Sequence, residues 1–252
     1  MQFGTRIERF EEVGSTQDVA RERALAGAAP GTVVAAERMT AGRGRQGRAW
    51  HSPPGANVCL TAIGEPVPAA DAWQVALVGG VAACRTVRET VGEDIGAFVR
   101  YPNDVLLGGR KVCGVLVETV GAPTPPRAVL PLIGIGINVR APEAALPPEV
   151  AAVATSLEGE TGRRFDVRAV EAALLRHLSA EWDLWRAYGF GALVARWKPL
   201  LAPDARRAFT LDGAGAPVEC RILDLDAAGM LTLELPDGGG RRILPAALAL
   251  AE

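Results

Sequence analysis

A chain of 252 residues with 49% hydrophobic side chains can bury one large core, or a core and a small appended unit. Its 27 basic and 29 acidic residues leave a net charge of −2, too little for a general field toward nucleic acid or anionic membrane, so any polyanion chemistry is local. Cys59, Cys84, Cys113 and Cys220 lack C-x-x-C spacing and only His51 and His177 accompany them, which excludes a zinc cluster and leaves reduced core thiols.

The opening "MQFGTRIERFEEV" is too charged for a secretory signal, and no run approaches the roughly 18 to 20 apolar residues of a membrane span. The cytoplasm is the expected compartment, with no membrane partner. Arg6 to Val13 reads as a strand, broken by Gly14 and Ser15. Ser15 or Thr16 then caps a helix over Gln17 to Ala26, which Gly27 stops. A strand follows at Thr32 to Glu37, and another at Asn57 to Ile63. Asp71 is expected to cap a long apolar helix reaching Val91, with Gly92 as terminator. In "AFVRYPNDVLLGGRKVCGVLVET" two β-rich runs flank Gly108 and Gly109, a hairpin signal, and "AVLPLIGIGINV" is a third β run. Asp166 caps a helix to about Tyr188, and Phe190 to Lys198 forms a shorter one before Pro199. From about residue 203 the texture becomes short β runs between Gly and Asp turns, as in a small barrel, which places a domain boundary near residue 200.

Three stretches carry chemistry. "TAGRGRQGRAW", residues 40–50, holds three arginines and three glycines. Gly42, Gly44 and Gly47 satisfy the G-x-G-x-x-G of a dinucleotide site, but Pro53 and Pro54 follow where that site needs a helix. Arg43, Arg45 and Arg48 cannot all enter a core, because a buried guanidinium needs a paired anion. They face water, as on a solvated surface loop, or they face a ligand anion that glycine amides also approach. "RYPNDV" reads locally as an Asx turn at Asn103 and Asp104, soon followed by Lys111. Alternation puts Lys111, Cys113 and Val115 on one face of the returning strand and Val112, Gly114 and Leu116 on the other. Lys111 either snorkels to the surface or grips an anionic substrate. Lastly, Gly134 and Gly136 in "IGIGINV" imply that something packs against the strand backbone, a neighbouring helix or a ligand, with Asn138 offering donor and acceptor beside it.

Taken in order and at these spacings, "GSTQD", "TAGRGRQGRAW", "RYPNDV", "GRKVCGVLVE" and "GIGINV" resemble bacterial biotin protein ligases over nearly the whole chain. The resemblance implies an α+β fold, a mixed-sheet catalytic domain of the class II synthetase and lipoate-ligase type over residues 1–200, with an SH3-like β-barrel over 201–252. It implies the enzyme-only form, without the N-terminal DNA-binding domain that some members carry, and no nucleic-acid partner. Biotin and ATP are the implied substrates with Mg²⁺, whose ligands stay unassigned. An apo biotin carboxyl carrier protein of the acetyl-CoA carboxylase type is the implied partner, and a homodimer through the sheet edge is compatible with the family. Carried over by position, Ser15, Thr16, Gln17, Gly42, Arg43, Gly44, Arg45, Lys111 and Gly114 bind biotin. Arg48, Trp50, Asn103, Asp104 and Asn138 bind ATP or the adenylate, and Arg45 and Lys111 are catalytic. The chain departs from the family at Gln17 for Asn, Met39 for Gln, and Arg100 and Tyr101 for Lys-Trp. The rival readings are a lipoate or octanoate ligase of the same fold, a biotin sensor without catalysis, and a module that uses the loop on nucleic-acid phosphates.

Overall fold

The charged segment at the N-terminus alternates and pairs at a sheet edge: β1 (Arg6–Val13) runs parallel to β2 (Thr32–Met39), and the crossover between them is helix α1 (Thr16–Leu25). Ser15 caps α1, its Oγ accepting from the Gln17 amide at 3.2 Å. The computed structural model describes residues 1–92, 94–122, 127–140, 146–202, 206–211, 216–243 and 249–250. The remaining strands of the sheet are β3 (Asn57–Ile63), the short β4 (Val67–Pro68), β5 (Ala97–Arg100), β6 (Asp104–Leu107), β7 (Arg110–Gly121) and β8 (Ala128–Asn138). The sheet order is β1-β2-β3-β8-β7-β6-β5, with β4 on β8, and every pairing other than β1–β2 is antiparallel.

Alternation decides which face each residue serves. Val33, Ala35, Val58, Leu60, Ile133, Ile135 and Ile137 pack on one side with helices α2 (Gln74–Val91) and α5 (Val167–Trp197). Val34, Ile63, Leu130 and Leu132 turn the other way, against Ala20 and Ala24 of α1. Two short helices, α3 (Pro148–Ala151) and α4 (Leu157–Thr161), precede α5. Asp166 caps α5 as expected, and non-helical Gly189 interrupts it where the sequence divides two helices. Asp71 does not cap α2. It lies in a 3-10 turn and accepts from the Gln74 side chain at 3.2 Å. Tertiary contacts anchor the α2 start instead: Trp73 meets Phe190 edge-on, and the Trp185 indole donates to Gln74 Oε1 at 2.8 Å.

The sequence puts Lys111 and Gly114 on opposite faces of β7; the structure puts them together. Val105 pairs with Cys113 but Leu106 pairs with Lys111, so Val112 is the extra residue of a β-bulge that resets the alternation. Val112 and Cys113 are in consequence both fully buried.

A second, antiparallel sheet comprises β9 (Arg206–Thr210), β10 (Val218–Leu225), β11 (Leu231–Glu234), β12 (Gly240–Ile243) and β13 (Ala249–Leu250), in the order β12-β11-β10-β9-β13. Phe209, Cys220, Ile222, Leu225, Leu231 and Leu233 close its interior. It joins the first sheet at the β5 end, where Ala202 donates to the Val99 carbonyl and Arg207 to that of Tyr101. No helix among the described residues is long and apolar enough to cross a membrane.

Candidate active site

On the α1 face of the large sheet, between the N-terminus of α1 and the loop of residues 40–56, lies a cavity of about 420 Å³. Its polar end is uncharged. Ser15, Thr16 and Gln17 are all buried there. Thr61 Oγ1 donates to Thr16 Oγ1 at 2.9 Å, and Thr16 Oγ1 in turn reaches the Met39 sulfur at 3.5 Å. Gln17 Nε2 donates to the Leu116 carbonyl at 2.9 Å, which leaves Gln17 Oε1 buried without a partner. An unpartnered amide carbonyl is a strong acceptor for a ligand N–H.

The two strand glycines explain themselves here. A Cβ at Gly134 would stand 2.7 Å from Gln17 Nε2, and one at Gly136 would stand 2.4 Å from the Trp50 ring. Gly114, the register partner of Gly136, extends the same slot, so the Trp50 indole lies directly on bare backbone. Both partners that the glycines anticipate are thus side chains of this chain.

The other end of the cavity is cationic. Arg43, Arg45, Arg48, Arg100, Lys111 and Arg207 line it with one carboxylate, Asp104. Asp104 holds three of the six: Lys111 Nζ at 2.7 Å on one oxygen, Arg100 at 2.8 Å and Arg207 at 3.1 Å on the other. Burial works against the charge of Asp104, yet Lys111, then Arg207 and Arg100, hold the carboxyl below its ordinary range. Arg45 has no carboxylate partner among the described residues; its one contact is to Asn103 Oδ1 at 3.4 Å, and burial pushes its pKa below the usual guanidinium value. Asn103 is itself fixed by a 2.6 Å bond from Nδ2 to the Val115 carbonyl. Arg48 is exposed at the rim and also lacks an ion pair among the described residues. A smaller adjoining cavity of about 280 Å³ shares Arg45 and Asn103.

Of the residues the sequence nominates, Ser15, Thr16, Gln17, Arg43, Gly44, Arg45, Arg48, Trp50, Asn103, Asp104, Lys111 and Gly114 line this one cavity. Gly42 does not; its carbonyl accepts from the Trp50 amide at 2.9 Å and closes the base of the loop. Asn138 does not either; its Nδ2 donates to the Thr155 carbonyl at 3.0 Å. Arg43 lines the cavity with its guanidinium paired to Asp18 and Glu118. Asp104 serves its neighbouring cations first. The sequence gives no sign of Arg207, which enters from the second sheet; one of two adjacent arginines in "RRAFT" carries no spacing signal, and only the docking of β9 selects it.

The chain matches the family model described as the biotin/lipoate A/B protein ligase family over residues 10–138. It is 34% identical over 224 residues to the biotin--[acetyl-CoA-carboxylase] ligase of Paracoccus denitrificans, covering 85% of this chain and 88% of the relative. It is 33% identical over 239 residues to the bifunctional ligase/repressor BirA of Bacillus subtilis, covering 94% of this chain and 71% of that protein. In structure it superposes on the biotin protein ligase of Aquifex aeolicus, solved with biotin and ATP, at a TM-score of 0.78 and 24% identity, covering 98% of this chain and 99% of the other. That likeness speaks for the fold.

Proposed function

The chain belongs to the biotin/lipoate A/B protein ligase family, and on that premise we propose how its cavity does a ligase's work. The protein is a biotin protein ligase that joins biotin to a lysine of a carboxylase carrier protein at the expense of ATP. A biotin carboxylate oxygen attacks the α-phosphorus of ATP, and pyrophosphate leaves with the bonding pair of the broken P–O bond. The carrier amine then attacks the acyl carbon of biotinyl-AMP, AMP departs, and an amide forms. Neither step needs a histidine, but the first brings a carboxylate onto a triphosphate, so positive charge must already be in place.

One observation carries this reading: an uncharged, hydrogen-bonding recess at Ser15, Thr16 and Gln17 opens into a chamber whose cations outnumber its carboxylates. The recess takes the ureido head of biotin, with the unpartnered Gln17 carbonyl accepting one N–H. The cations receive its carboxylate and the phosphates. Arg45 and Arg48, which have no carboxylate partner among the described residues, are assigned to the reacting phosphate, and Lys111 to the biotin carboxylate. Trp50 on its glycine slot walls the nucleotide side, and Asn103 aims Arg45. Asn138 and Gly42 act from outside the cavity, on the strand end and the loop base. Mg²⁺ finds only Asp104 in the lining, already paired with three cations, so the residues do not compose a protein-built metal site. The ion enters on the phosphates of ATP.

We place the catalytic unit at residues 1–200 and a C-terminal unit at 201–252, and the protein in the cytoplasm, where ATP is supplied. The carrier is of the acetyl-CoA carboxylase type, association through the sheet edge gives a homodimer, and nucleic acid is not a partner. Incubation with ATP, Mg²⁺, biotin and an apo carrier domain tests the whole, the expected result being a biotin-sized mass gain on one lysine. Modification by lipoate in place of biotin would overturn the substrate assignment, and no modification by either would overturn the ligase reading.

A further inference from the structure

Arg43, in the cavity wall, is held by carboxylates from two other elements. Its guanidinium forks onto Asp18 of α1, at 2.9 and 2.5 Å, and its Nε donates to Glu118 of β7 at 3.2 Å. Glu118 turns its second oxygen to Arg21 at 2.7 Å, so two arginines and two carboxylates neutralise one another across helix, strand and loop. The first cause of Arg43's raised pKa is the bond it donates to Asp18, and that bond also holds the Asp18 carboxyl low.

The loop is a small hairpin. Gly42 accepts from Trp50 at 2.9 Å, Arg43 bridges Ala49, and Gly44 donates to the Arg48 carbonyl at 2.7 Å. Whatever fixes Arg43 therefore fixes both feet of the hairpin, and the Trp50 foot is seated on Gly136 and Gly114 as well. Only the 3-10 turn Arg45–Gly47 and Arg48 stand clear of the clamp. Neither Asp18 nor Glu118 lines the cavity.

We propose that Asp18 and Glu118 are positioning residues that clamp Arg43, keeping the feet of the Gly/Arg loop shut with or without ligand and confining its opening to the turn bearing Arg45 and Arg48. A planar guanidinium held by two carboxylates gives a geometry that a solitary surface pair does not. The ligand then orders a four-residue apex rather than an entire loop, and the acyl-adenylate meets less water while it waits. The kinetic half of this rests on the ligase reading; the clamp itself does not.

Asp18→Ala, Glu118→Gln and Arg43→Lys test it, the lysine variant keeping the charge and the tryptic site while losing the fork. In limited trypsin digestion of the ligand-free protein, wild type is cut after Arg45 and Arg48 and spared after residue 43. Each variant is expected to be cut after residue 43 as well, with an unchanged melting temperature because the clamp is at the surface. With biotin and ATP but no carrier, Asp18→Ala and Glu118→Gln form adenylate to the wild-type burst and lose it about tenfold faster, the scale of one charge-assisted contact. Wild-type protection after residue 43, or wild-type adenylate retention, in Asp18→Ala and Glu118→Gln overturns the proposal. If wild type itself forms no adenylate, the ligase reading fails instead, and the digestion alone decides the clamp.

Discussion

Arg45→Ala separates chemistry from folding, because the side chain gives the fold little and the reaction much. Its structural tie is one bond to Asn103 at 3.4 Å, at the far edge of useful geometry. Removing it leaves the Asn103 carbonyl short of that donor, a cost of about 1 kcal/mol at most. Against this, a half-buried guanidinium without a carboxylate partner disappears, along with its repulsion from Arg48. The two nearly cancel, so stability should stay within about 1 kcal/mol of wild type, roughly 2–4 °C in melting temperature for a chain of this size. The reaction loses a preorganised cation at the phosphate, which costs about 10²- to 10³-fold in rate, or about 2.7–4 kcal/mol of barrier. Thermal unfolding and biotin-dependent ATP–pyrophosphate exchange measure the two halves. Exchange within tenfold of wild type, or a melting temperature lower by more than about 5 °C, would refute the reasoning.

Arg207→Ala, which frees Asp104 to draw Lys111 closer, should raise KM for ATP more than it lowers kcat, with Arg207→Lys intermediate; equal loss in both would place Arg207 on the transition state instead. Gly136→Ala drives a methyl into the rigid Trp50 ring at 2.4 Å, so a loss of about 1–3 kcal/mol in denaturant unfolding and weaker ATP binding are expected, and an unchanged midpoint contradicts it. Asp104 has a folded pKa below its unfolded value, so its ion pairs contribute fully above about pH 4 and are lost as pH falls through the lower folded value. The stability gap between wild type and Asp104→Asn should therefore be widest near neutrality and narrow in acid; a gap that widens in acid disproves the sign. Burial holds Cys59 up to about 11 and pushes Cys113 higher, so iodoacetamide at pH 8 should leave both unmodified until the protein is denatured, as intact-mass measurement will show.

Local physics made much of the fold legible. Ser15 and Asp166 cap helices because a short polar side chain meets the next turn's amides, and Gly108 and Gly109 turn a hairpin because both lie at positive φ. What resisted reading was set by partners distant in sequence. The phase of β7 depends on a bulge that the pairing with β6 imposes, and the start of α2 on a Trp73–Phe190 contact. The cations of the site follow the same division. Five of the six are supplied by the Gly/Arg loop, "RYPND" and Lys111, but neither Arg207 nor the roles of the six can be read there. Asp18 and Glu118, 25 and 75 residues from Arg43, pair with that arginine, whereas Asp104 collects Lys111, Arg100 and Arg207. Arg45 and Arg48 are what remains without a carboxylate among the described residues. In a loop of interchangeable-looking arginines, the proposed roles divide by carboxylate partner, with Arg43 clamping the loop feet and Arg45 meeting the phosphate, so Arg43→Lys and Arg45→Lys should fail in different assays, the first in protease protection and the second in pyrophosphate exchange.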